Sequence, residues 1–264
     1  MFRYIATALA IIALGATASL SQAAPITPTF QTFGDLAEAA STNGFPDPTF
    51  GGTGIPTDPA AFSLFTFNDQ DEILLGLIAT PRFANPTPTD DGAGTYTAEA
   101  GANDGTPGNP GTAATWHLSF SAAGKNGAGS ETLDNYYLNL LYDFDPGANT
   151  DEADLGVITG IILNNGPISL EQGSENLTFG TFPTTPVPGI AVPPVFPSFD
   201  PNVPGEYSFA LTLNQGSIGA TTTELGRVAI NVVVEASDVP APASLALMSL
   251  GLIGLRWSRR RRQA

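Results

Sequence analysis

The chain contains no cysteine. Disulfides, thiolate nucleophiles and cysteine-ligated zinc are therefore excluded. There is a single histidine, so a multi-histidine metal triad is excluded as well. Charged residues make up 13% of the chain, about half the share usual for a globular protein. Basic residues are scarcer still. Of nine, Arg3 lies in the leader and five lie between Arg256 and Arg262, leaving Arg82, Lys125 and Arg227 in the body. All 25 acids fall between Asp35 and Asp238, so the body's formal charge is 3 − 25 = −22. A surface of that sign repels phosphate backbones and excludes nucleic-acid binding. No Gly-x-Ser-x-Gly nucleophile elbow occurs.

Both ends carry addresses. Residues 1–23 read as a secretory signal peptide: Arg3, an apolar run from Ile5 to Leu14, and small residues at Ser21 and Ala23. Cleavage is expected after Ala23, with entry through the Sec export machinery. At the other end, Val239-Pro240-Ala241-Pro242 precedes the uncharged stretch from Ala243 to Leu255, then Arg256, Trp257 and Arg259, Arg260, Arg261 and Arg262. As a helix the apolar stretch is about 20 Å long at ~1.5 Å per residue, short for a hydrocarbon core of about 30 Å. It spans only if Trp257 and the arginines snorkel or the bilayer thins. The arginines favour the cytoplasmic side.

This tail resembles the PEP-CTERM sorting signal of exopolysaccharide-producing Gram-negative bacteria. The resemblance rests on Val239, Pro240 and Pro242, the leucine- and glycine-containing apolar segment, and Arg259 to Arg262. Ala241 stands where the family usually has glutamate. The resemblance implies recognition by an exosortase in the inner membrane, removal of the tail near the motif, and delivery to the cell surface or the exterior.

Between the addresses the dominant period is two. Tyr136, Leu138, Leu140, Tyr142 and Phe144 share one strand face; so do Tyr207, Phe209, Leu211 and Leu213, and Val228, Ile230, Val232 and Val234. Trp116, Leu118 and Phe120 repeat the pattern. Further strands are expected at 62–67, 73–79, 95–98, 156–163 and 176–182. Turn dipeptides such as Asp91-Gly92 and Asn165-Gly166 separate them. The expected fold is an all-β antiparallel sandwich of about nine strands in one domain, residues 25–236. A short helix is expected at 33–40, capped by Thr32. The proline-rich stretch 183–204 is expected to be a long extended loop.

The site candidates are few. His117 would need a nucleophile and an orienting acid to act as a base; a half-buried strand position is the plainer account. Some of the 25 acids must lie close together by chance, so no pair marks a glycosidase. The densest cluster of hard oxygen ligands is Asp143, Asp145, Asn149, Asp151 and Asp154, a candidate Ca²⁺ site. Its spacing is not that of an EF-hand, and a solvated acidic turn is the plainer account. The run from Asn68 to Glu72 is a weaker copy. Tyr136 is expected to face the core and Tyr137 to face outward, where it would stack a sugar. The expected function is a non-enzymatic structural or adhesive module of the cell surface or exopolysaccharide matrix. The alternatives are a calcium-dependent or carbohydrate-binding module and, less favoured, a secreted hydrolase.

Overall fold

The computed structural model describes residues 24–67, 70–83, 85–103, 112–127, 136–162, 168–196, 198–216 and 223–237. Two sheets pack face to face. The five-stranded sheet has the order β1 (Thr32–Gly34), β2 (Ala60–Thr66), β3 (Glu72–Pro81), β6 (Trp116–Lys125), β9 (Ile168–Glu175). The seven-stranded sheet has the order β10 (Ala191–Val192), β8 (Gly156–Ile162), β7 (Tyr136–Tyr142), β11 (Gly205–Gln215), β12 (Thr223–Glu235), β5 (Thr95–Glu99), β4 (Thr89–Asp90).

The alternating positions read from the sequence meet in one core. Tyr136, Leu138, Leu140, Tyr142 and Phe144 join Phe209, Leu211, Val228, Ile230 and Val232 from the seven-stranded sheet. They face Leu75, Leu77, Trp116 and Leu118 from the other. Trp116 sits edge-on to both Phe199 and Phe209, with ring centroids 6.2 and 6.0 Å away.

Several expectations are corrected. There are twelve strands among the described residues, not nine. The extra ones are short edge strands, too brief to show a period. The sheets are not wholly antiparallel, since β5 runs parallel to β12 (Asn231 beside Thr95, Glu235 beside Glu99). The helix α1 is Leu36–Thr42, and Asp35 caps it rather than Thr32. One Asp35 oxygen accepts from the N–H groups of Ala37 and Glu38, at 2.9 and 3.1 Å. Thr32 is instead paired with Phe62 on β2.

Residues 176–182 form turns, and the strand lies just before them, as β9. The cause is Asn176, which is fully buried. Its amide donates to the carbonyls of Ala114 and Trp116, and its oxygen accepts from the Ala114 N–H. A side chain that ties down another strand in this way ends the ladder. The stretch 183–204 is a loop except for β10, which pairs with β8.

No helix among the described residues is long and apolar enough to cross a membrane. The expected leader, 1–23, and the apolar tail segment, 243–255, lie outside the described residues.

Candidate functional site

His117 lies on β6 and points into a chain of polar side chains that run across three strands. Its Nε2 is 2.8 Å from Arg82 Nη1 just past β3, and its Nδ1 is 3.0 Å from Ser174 Oγ on β9. Ser119 Oγ donates to Ser174 Oγ at 2.8 Å, and Thr80 Oγ1 is 2.8 Å from Ser119 Oγ. Antiparallel pairing places Thr80 opposite His117 and Ser119 opposite Ser174, which brings all four together.

The proton polarity of this chain is fixed by its ends. A guanidinium carries only donors, so His117 Nε2 is the acceptor. In the neutral ring Nδ1 then holds the proton and donates it to Ser174. Ser119 has spent its proton on Ser174, so Thr80 donates to Ser119. Ser174 thus receives two hydrogen bonds and faces a protonated nitrogen, the reverse of what an activated serine needs. Burial and then the neighbouring Arg82 charge hold the imidazole down to about pH 4, so it stays neutral through the ordinary range. Burial also lowers the Arg82 guanidinium. Arg82 stacks over Phe83 and Phe179, 4.8 and 5.0 Å from the ring centroids. His117, Ser174 and Arg82 line a cleft of about 410 Å³ closed on one side by Gly52 to Pro56. The sequence reading found His117 but not Ser174, Ser119 or Thr80. Only strand register joins them, although Arg82 was signalled as one of three body cations.

The acidic loop after β7 is built around Asp143, which is almost fully buried. One of its oxygens accepts from the Asp145 N–H at 2.9 Å and the other from the Ser208 N–H at 3.4 Å. Desolvation is the largest influence on Asp143 and raises its carboxyl to about 6, against the lowering effect of those bonds. Asp145 in turn accepts from the Gly147 N–H at 2.8 Å, an Asx turn. Asn149 adopts a positive φ of 60°. Asp151 pairs with Pro25 through backbone and precedes the 3-10 turn Glu152–Asp154. Asp154 lends its carbonyl to the Val195 N–H at 2.9 Å. Among the described residues, no three Asp, Glu or His side chains converge where a metal ion would sit. Of the weaker run, Asn68 and Asp69 lie outside the described residues, and Asp71 Oδ1 accepts from the Gly127 N–H at 2.9 Å.

Tyr137 is not an exposed sugar platform. It is 4% exposed, as is Tyr136. Part of the outer face of the seven-stranded sheet is covered. Ile26 from the first described residues and Leu155 pack there on Leu141, Ala210 and Ala229. Thr29 secures that strap by exchanging two backbone bonds with Ala229, at 3.0 and 2.8 Å. Aromatic surface is instead found in a cleft of about 620 Å³ between the turns after β9 and the loop before β11. The half-buried Phe179 and Phe199 line it, with Phe182 buried behind them and Thr178, Thr184 and Thr185 at hand.

The chain leaves the body at the end of β12. The Glu235 carbonyl accepts from the Ala100 N–H at 2.7 Å, and Ser237 donates to the Ala100 carbonyl. Immediately beyond, residues 238–262 match the family model of the PEP-CTERM protein-sorting motif. The match supports processing of this tail by an exosortase. A motif of this kind implies export and membrane-associated processing before the cell surface. No curated protein and no solved structure matches the chain.

Proposed function

We propose that the body of this PEP-CTERM protein is a non-enzymatic structural or adhesive module of the cell surface or the extracellular polysaccharide matrix. One combination of observations carries the reading. A sorting tail is joined to an acidic sandwich whose single imidazole is held by an arginine and passes its proton towards the neighbouring serine. The other two body cations also serve as cross-links. Lys125 pairs with Glu72 and donates to the Asn43 carbonyl, and Arg227 binds Glu152 and Glu224. A stable anionic surface displayed after removal of the tail is the mechanism this reading requires.

The test is retention. Chains with and without residues 238–264 are expressed in an exosortase-containing host, and the protein is measured in membrane, matrix and medium. The reading expects the intact chain in the matrix and the truncated chain in the medium. Equal distribution of the two would sink it. Hydrolytic turnover of matrix polymer by the purified chain, lost in His117→Gln, would replace it with an enzymatic reading.

A second reading, carbohydrate binding, is favoured by the aromatic cleft. Phenylalanine rings with nearby hydroxyl groups suit a sugar's apolar face and rim. Binding of exopolysaccharide fragments that weakens in Phe179→Ala supports it, and binding unaffected by that change removes it.

A further inference from the structure

We infer that, while the tail still holds the chain at the membrane, the pole of the sandwich at which β12 ends lies against the lipid surface and contacts it through exposed apolar side chains. The proposal rests on membrane-associated processing of the sorting motif and goes beyond it by naming the face that meets the lipid.

The first ground is the length of the tether. Ser237 is fixed to the body through Ala100. The apolar tail segment begins at Ala243, six residues further on. Even fully extended, that link spans at most about 20 Å, and Pro240 and Pro242 restrict it. The body therefore has no room to turn its far pole to the bilayer.

The second ground is where the exposed apolar groups lie. The large exposed hydrophobics among the described residues are Phe83, Ile190, Val192, Val195, Phe196 and Val203. Phe83 follows β3 beside the end of β5, because the Arg82 N–H bonds the Thr115 carbonyl and Thr115 Oγ1 donates to the Glu99 carbonyl. Val203 lies two residues before β11, whose first residue, Gly205, pairs with Val234 near the exit. Val195 and Phe196 belong to the loop that crosses this pole from β10 to β11, and Pro201 of the same loop accepts from the Gly101 N–H. Ile190 and Val192 flank it on the free edge of the seven-stranded sheet. At the opposite pole the described residues, among them Gln70, Lys125, Gln215 and Thr223, include no exposed large hydrophobic. Val195 is 74% exposed and Phe83 67%, which costs hydrophobic free energy in water and gains it at an interface.

Charge selects the kind of surface. Exposed Glu99, Asp154, Asp200 and Glu235 surround these groups. Anionic headgroups would repel them, so the fitting surface is a zwitterionic one.

The test uses the absence of cysteine. Single cysteines are introduced in the full-length chain at Phe196 and, as control, at Gln215. Each is labelled with an environment-sensitive dye, and the chain is reconstituted in zwitterionic vesicles that carry a headgroup quencher. The expected result is several-fold stronger quenching at 196 than at 215, weakened when anionic lipid is added. Two further changes, Val195→Asp and Val203→Asp, lie at exposed positions and should leave far-UV circular dichroism unchanged while lowering quenching at 196. Equal quenching at the two sites in chains that sediment with the vesicles overturns the proposal alone. Failure to sediment overturns the anchoring beneath it. Cross-linking between copies at 196, without quenching, overturns it in favour of a second copy as the occupant.

Discussion

Arg227 on β12 grips Glu152 through two parallel N–H···O bonds of 2.7 and 3.0 Å, and turns its remaining donors to Glu224 at 2.6 and 2.7 Å. The two carboxylates hold the guanidinium well above its ordinary value. Glu152 is far away in sequence and carries the turn on which the first described residues rest, since its N–H donates to the Ala24 carbonyl. The ion pair therefore joins the last strand to the covering of the outer face. Arg227→Met keeps the apolar stem and removes the fork. A loss of about 1–2 kcal/mol is expected for this partly exposed bidentate pair, seen as a fall of about 4 °C in melting temperature. An unchanged melt would show that the strap stands on Ile26 and Thr29 alone.

His117 gives the body a pH dependence of definite sign. The folded ring takes up a proton only near pH 4, whereas an unfolded imidazole does so near 6.5. Between those values the unfolded chain binds more protons, so stability is complete above 6.5 and is lost as pH falls towards 4. The His117 share is at most about 3 kcal/mol for a shift of that size. Asp143, raised to about 6, acts in the opposite sense: its protonated form favours the fold, so its share falls as pH rises from 3.8 to 6. Urea unfolding of the parent and His117→Gln across this window separates the two. The difference between their stabilities should shrink as the medium is acidified; a constant difference would refute the assignment.

Gly156 opens β8 directly against the Tyr142 ring. A Cβ there would lie 2.3 Å from Tyr142 Cζ. The ring has nowhere to go, because it is fully buried and its hydroxyl donates to the Pro183 carbonyl at 2.6 Å. Gly156→Ala is expected to cost about 2–3 kcal/mol by overpacking. The double variant with Tyr142→Leu should be markedly less destabilised than the sum of the two single changes. Strict additivity in denaturant titrations would contradict the contact.

Calcium tests the acidic loop. Among the described residues no three carboxylates converge there to hold the ion. Millimolar calcium is expected to leave the melting temperature where it is. A rise of several degrees would show residues 143–154 rearranging to ligate the ion.

The sequence by itself determined the sorting tail and the central strands. A sorting tail is read from linear order, and Tyr136 to Phe144, Tyr207 to Leu213 and Val228 to Val234 show their buried faces through a period that pleating imposes on any strand. It could not reveal that the outer face of β7 is covered, because the covering comes from Ile26 and Leu155, distant in the chain. Nor could it place Ser174 beside His117, or Glu152 beneath Arg227. Those meetings depend on the register of β3, β6 and β9 and on the packing of the strap. Only the tertiary structure decided them, because cross-strand neighbours are set by which core faces fit together, and no local pattern records that choice.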